Sequence, residues 1–173
     1  MGNVLTPLAV WIGRLDVTRR NAHLVVRLDR GLTRLTRDRL PLLRLAGLPT
    51  VVLHVRGRRT GVERSVPLLC TPWRGGYVVV GSNWGEDAPP AWVANLRAAR
   101  AGEVAVEVRG RRIPVDRAEL TGDERAAAWA AAQRVWPNYD RYARRTGREI
   151  PVFHLTPADR TPSDHPVPDP IPE

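Results

Sequence analysis

The chain has 173 residues, with 27 basic and 18 acidic side chains and a formal net charge of +9. Every basic residue is Arg, so a P-loop lysine and a Schiff-base amine are both excluded. Residues 1–64 carry thirteen Arg against four acids and residues 65–173 fourteen against fourteen, so the whole excess lies in the first third.

The N-terminal apolar run is short, lacks a basic flank and shows no cleavage pattern. The expectation is a cytoplasmic, soluble chain of one domain. Residues 18–37 have helical spacing, with Leu24, Leu28, Leu32 and Leu35 on one stripe and Arg on the other faces. This gives an Arg-rich N-terminal helical extension over 1–44, which reads as a solvated helix face, a path for an anionic ligand, or a peripheral contact to an anionic membrane. Thr50 to Val55 is a strand by its β-branched content, and Gly-bounded RGRRTGVER follows at 56–64. Ser65 to Thr71 and Tyr77 to Val80 are two further strands around an Arg74-Gly75-Gly76 turn. The loop SNWGEDAPP runs from Ser82. Pro90 to Ala101 reads as a helix. Val104–Val108 and the stretch holding Ile113 and Val115 form a hairpin through Arg109-Gly110-Arg111. Thr121 to Glu124 has the capping-box pattern before an Ala-rich helix ending near Trp136. A short helix carries Tyr139 and Tyr142, and Ile150 to Leu155 is the last strand. The tail 158–173 is rich in Pro and Asp, with little to bury.

Six short strands, with no room for a crossover helix between 50 and 82, predict an antiparallel barrel with helices in an α+β, mainly β chain. Its barrel domain spans 45–157.

Chemistry-bearing residues are few. Arg56, Arg58, Arg59 and Arg64 surround Gly57, Thr60 and Gly61. They read equally as a phosphate cradle, with forked cations and turned backbone N–H groups, or as a solvated hairpin tip. Trp92 and Asn95 share a helix face. They suit a planar ligand, and suit still better a core aromatic and a cap partner. Tyr139 and Tyr142, also three apart, offer phenolic donors or simple packing. The four His have no metal-ligand spacing, Cys70 reads as a buried inert thiol, and the three Ser lie in no nucleophile elbow. A basic module binding nucleic acid is disfavoured, because the Arg of 14–44 lack interleaved aromatics.

Four ordered segments, GRRTGVERSVPL (57–68), YVVVGSNWG (77–85), PAWVANLRA (90–98) and WPNYDRYARRTGREIPVF (136–153), resemble the deazaflavin-dependent nitroreductase family. The resemblance covers about residues 45–157. It implies a split β-barrel of the FMN-binding type and coenzyme F420 as cofactor, with FMN as the alternative. It also implies hydride transfer to a small-molecule acceptor such as a quinone or nitroaromatic. By match to the family's motifs, Arg58, Arg59, Thr60, Arg64 and Pro67 fall in the loop that holds the cofactor's phosphate-bearing tail. Ser82, Asn83, Trp92 and Asn95 match positions around the deazaflavin, and Tyr139 and Tyr142 match substrate-side tyrosines. Two further tyrosines of some members are Trp136 and Leu69 here, which implies a more apolar acceptor pocket.

Overall fold

The computed structural model describes residues 47–158. The N-terminal helix expected over 18–37 and most of the tail lie outside the described residues. Alternation shapes the first strand, β1 (Thr50–Arg56). Val51, Leu53 and Val55 enter the core, while Val52 and His54 face the other way. Strands β2 (Glu63–Trp73), β3 (Gly76–Val80), β4 (Val104–Val108), β5 (Arg111–Glu119) and β6 (Val152–Pro157) join it in a closed barrel of order β1-β2-β3-β6-β5-β4. Every pairing is antiparallel.

The barrel is split because two strands change partner. β2 pairs with β1 up to Leu69 and with β3 from Cys70. β5 pairs with β4 up to Pro114 and with β6 from Val115. Two four-stranded sheets thus share β2 and β5. Pro67 is tolerated inside β2 because this half of the strand has only β1 beside it.

Three helices complete the fold: α1 (Ala91–Ala98), α2 (Gly122–Val135) and α3 (Asn138–Thr146). α1 plugs the barrel with Trp92, Val93 and Leu96, which join Leu53, Val106, Phe153 and Leu155 in the first core cluster. Gly81 admits it, since a Cβ there would lie 2.8 Å from Val93 Cγ2. α2 presents Ala128, Ala131, Ala132 and Val135, a stripe small enough to lie close on the sheet. With α3 it covers Val78, Val80 and Val152, forming a second cluster outside the barrel wall.

Several details move from expectation, among them β2, which runs Glu63–Trp73 and so extends beyond Ser65 to Thr71 at both ends. α1 stops at Ala98, where the chain turns extended at Ala99. The last strand begins at Val152, because Ile150 packs in the second cluster before pairing starts. The capping box at Thr121 is not made: Thr121 gives no side-chain bond, and Glu124 instead pairs with Arg74 at 2.9 Å.

Candidate functional site

The register sets which loops meet. β1 ends where β2 begins, at Arg56 opposite Glu63. β4 starts beside Val55, β5 ends beside the start of β6, and β3 ends beside that start too. The tip at 57–62, the loop after β3, α1 and the end of α3 therefore share one end of the barrel. The Arg109-Gly110 turn lies at the other end.

The basic hairpin is built by its own backbone. Gly57 N–H donates to Val62 O at 2.8 Å, and Gly61 N–H to Gly57 O at 2.8 Å. Gly61 is left-handed, with φ +66°. Arg56 braces the tip by donating to Gly61 O at 3.3 Å. Thr60 Oγ1 accepts from Val62 N–H at 3.4 Å and would sit 2.8 Å from a Cβ at Gly57. The side chains of Arg58, Arg59 and Arg64 are exposed, and none makes an ion pair or side-chain hydrogen bond among the described residues. Their charge is thus available to an anion.

Asn95 is not a helix cap. Its Oδ1 accepts the backbone N–H of Arg58 at 3.1 Å, across 37 residues, and so pins the basic tip to α1. Trp92 is only 6% exposed and packs edge-on to Phe153, with ring centroids 6.0 Å apart. It backs the site from within the barrel.

Ser82 is buried and opens a short 3-10 turn, Asn83–Gly85. Asn83 (φ 48°), Trp84 (φ 56°) and Gly85 (φ 76°) are all left-handed. Asn83 Nδ2 donates to Ala88 O at 2.9 Å, closing the loop on itself. Trp84 reaches Tyr142, with ring centroids 6.4 Å apart at 63°.

Tyr139 and Tyr142 lie in the second cluster with Leu69, Trp84, Trp129 and Trp136. Burial raises both phenols above their ordinary value of 10.0. For Tyr142 the Trp136 side chain and the Arg145 and Arg141 cations pull partly the other way. The Tyr142 hydroxyl is buried and makes no hydrogen bond of good geometry among the described residues, the Trp136 side chain being only a weak polar neighbour. Such a group is costly unless something else satisfies it.

The structure thus ties the hairpin of Arg58, Arg59, Thr60 and Arg64 to Asn95, and links Tyr142 to the Ser82–Asn83 loop through Trp84. Pro67 stands apart on β2, opposite Val52. His54 faces out of the barrel, 3.0 Å from Ser65 Oγ. Among the described residues no group of three His, Cys, Asp or Glu could hold a metal. Sequence reading missed Arg145 and Arg148, which bond the carbonyls of the 81–86 loop. Their only local signal is an Arg pair astride Gly147.

A family model described as F420H(2)-dependent quinone reductase matches residues 37–157. The chain belongs to this family. A quinone reductase of Mycobacterium tuberculosis named as F420H(2)-dependent is 28% identical over 109 residues, covering 62% of this chain and 73% of the relative. A second relative from that organism is 31% identical over 110 residues, covering 64% of this chain and 91% of the relative. A solved F420-H2 dependent reductase is 33% identical, with TM-score 0.57, over 62% of this chain and 93% of that one. Another solved structure, described as a domain-swapped dimer, is 30% identical with TM-score 0.59, over 81% and 97%.

As a member of the F420H(2)-dependent quinone reductase family, the chain is an F420-dependent oxidoreductase, and the FMN alternative is not needed. The residues present suit that cofactor. Three exposed guanidiniums without acidic partners among the described residues match a phosphate-bearing tail, and their donors are forked. The exposed edge of the hairpin offers them without a lysine anywhere in the chain.

Proposed function

We propose that the protein transfers a hydride from reduced F420 to a quinone-type acceptor at this end of the barrel. Arg58, Arg59, Thr60 and Arg64 hold the phosphate-bearing tail, with Arg59 and Arg64 as its main charge contacts. Ser82, Asn83 and Asn95 frame the ring, and Trp92 supports it from behind. Pro67 shapes β2 beneath the hairpin. The cofactor, when bound, supplies the hydride, so the protein need supply no nucleophile or metal. What this chain must do is bind, orient and exclude water.

The observation that carries this reading is convergence. Leu69 on β2, Trp84 of the loop after β3, and Trp136, Tyr139 and Tyr142 around the start of α3, three separate places in the sequence, pack in one cluster. That cluster is aromatic and apolar, with one hydroxyl, Tyr142 Oη, that makes no well-formed hydrogen bond among the described residues. It suits a flat acceptor carrying an oxygen. Tyr142 holds its proton at Oη across physiological pH, because burial raises the phenol. It is therefore placed to donate a hydrogen bond to an acceptor oxygen, and a proton as that oxygen becomes anionic. Tyr139 orients Tyr142 from 6.4 Å between ring centroids.

The test is a fluorescence titration with F420, beside FMN, followed by reduced-cofactor oxidation with quinone and nitroaromatic acceptors. F420 binding with quinone turnover is expected. Absence of F420 binding overturns the proposal. Tyr139→Phe and Tyr142→Phe then separate the roles: unchanged turnover in both refutes a part for either hydroxyl.

A further inference from the structure

The loop that follows β3 is held from outside itself. Three successive left-handed residues, Asn83, Trp84 and Gly85, are an uncommon backbone run, and for the two with a Cβ it costs about 1–2 kcal/mol each. Two internal bonds, Gly85 N–H to Ser82 O at 2.9 Å and Glu86 N–H to Asn83 O at 3.0 Å, close the turn. They leave several carbonyls pointing toward α3.

Those carbonyls meet two guanidiniums. Arg145 donates from Nε to Gly85 O at 3.1 Å and from Nη2 to Trp84 O. Arg148 donates from Nε to Glu86 O at 3.2 Å, and from Nη2 to Gly81 O at 3.2 Å and Ser82 O at 3.0 Å. Both side chains present the Nε/Nη2 edge, and together they bond five carbonyls within 81–86. Between them lies Gly147, left-handed with φ 62°, whose N–H bonds Ala143 O at the end of α3. This glycine turn reverses the chain and brings Arg148 back to the loop from beyond the helix. A side chain at Gly85 is excluded from the other direction, because its Cβ would lie 2.8 Å from Arg145 Nη2. Arg148 Nη1 is buried and has no acceptor among the described residues. The guanidinium is thus committed to the loop through one edge.

We infer that Arg145 and Arg148 are positioning residues: they clamp the left-handed Ser82–Glu86 corner and thereby fix Ser82, Asn83 and Trp84 relative to Tyr142. The inference rests on the proposed role of this loop in holding F420. Neither arginine touches cofactor or acceptor; each acts through the backbone it bonds. A lysine is a poor replacement at either position, since a single ammonium cannot reproduce a planar fork on carbonyls of different residues.

The experiment uses the full chain with Arg148→Met, Arg145→Met and Arg148→Lys. Hydrogen exchange at the Gly85 and Glu86 amides is read without cofactor, and F420 affinity is read by fluorescence titration. The expected result is exchange at these amides faster by roughly tenfold or more in the Met variants, the scale of losing bonds to a charged donor. Amides of β1 and β4 should stay unchanged. F420 affinity should fall by about tenfold, with Arg148→Lys restoring part of it. If Arg148→Met unfolds the chain, the more exposed Arg145→Met reads the same quantity. Unchanged exchange at Gly85 and Glu86 overturns the clamp, whatever the loop binds. Faster exchange with unaltered F420 affinity overturns instead the assignment of the loop to the cofactor, and with it the functional half of the inference.

Discussion

Tyr139 and Tyr142 share one helix face and one cluster, yet the Tyr142 hydroxyl alone lacks a well-formed hydrogen bond among the described buried side chains of that cluster. Its proton is the one the proposed chemistry uses. Both phenols are raised by burial, so neither ionises below its ordinary value of 10.0. Turnover should therefore show no tyrosine-linked loss between neutral pH and about pH 10. A pH–rate profile of wild type beside Tyr142→Phe checks this; a basic limb near neutrality present only in wild type would refute it. Cys70 behaves differently. Burial pushes its thiol up to about 12, so it should resist a thiol reagent at pH 8 until the chain unfolds. Rapid labelling of the native protein would contradict that burial. Asn95 is the residue whose role the spacing concealed. Its helix position suggested a cap partner, and its bond goes instead to Arg58 N–H. Asn95→Ala should cost about 0.5–1.5 kcal/mol at the hairpin and weaken F420 binding severalfold, measured by titration.

At the level of elements, the hairpins are joined by charged pairs on the barrel's surface. Arg112 holds Glu63 through two bonds of 3.0 and 2.6 Å, linking β5 to β2. Arg97 holds Glu119 through bonds of 2.8 and 2.6 Å, linking α1 to the end of β5. Hydrogen bonds from these arginines keep both carboxylates below their ordinary value of 4.5. A depressed folded-state value means the stabilisation is present above pH 4.5 and disappears as pH falls through the lower folded value. The pairs are largely exposed, so each contributes less than about 1 kcal/mol. Melting of wild type at pH 7 and pH 3, beside Glu119→Gln, should show a slightly larger acid loss in wild type, reduced by added salt. An equal loss in both would remove Arg97–Glu119 from the account. The same scale explains the helices. α2 was legible from its Ala stripe and its start from Thr121, but the partner of Glu124 was not. Glu124 had two available partners, and only the tertiary approach of Arg74 decided between them.

For the whole molecule, the barrel interior carries the stability. Phe153, Leu53 and Leu155 are fully buried in the first cluster. Phe153→Ala should cost about 3–5 kcal/mol and leave Trp92 without its edge contact. Thermal or denaturant unfolding measures it; a loss below about 1 kcal/mol would mean that the barrel repacks around α1. The Arg-rich segment 1–44 carries the charge excess and lies outside the described residues. Three readings of it, a solvated helix face, a path for the cofactor's anionic tail and a membrane contact, separate on removing it, the first predicting no change in either measurement. Weaker F420 binding supports the second and lost co-sedimentation with anionic vesicles supports the third. No helix among the described residues is long and apolar enough to cross a membrane.

The sequence by itself determined the local grammar. β-branched alternation placed the six strands, Gly and Arg marked the hairpin tips, and the absence of crossover helices demanded antiparallel pairing. These are properties of neighbours in the chain, which is why they could be read there. The four motifs, taken together, also carried the family and its cofactor. The tertiary structure alone decided how they meet. Strand register brought the 57–62 tip and the 81–86 loop to one end, and the switching of β2 and β5 between sheets split the barrel. It tied Asn95 to the Arg58 backbone, packed Trp84 against Tyr142, and carried Arg145 and Arg148 across more than sixty residues to the carbonyls of the 81–86 loop. Such contacts depend on packing geometry, and no spacing along the chain encodes them.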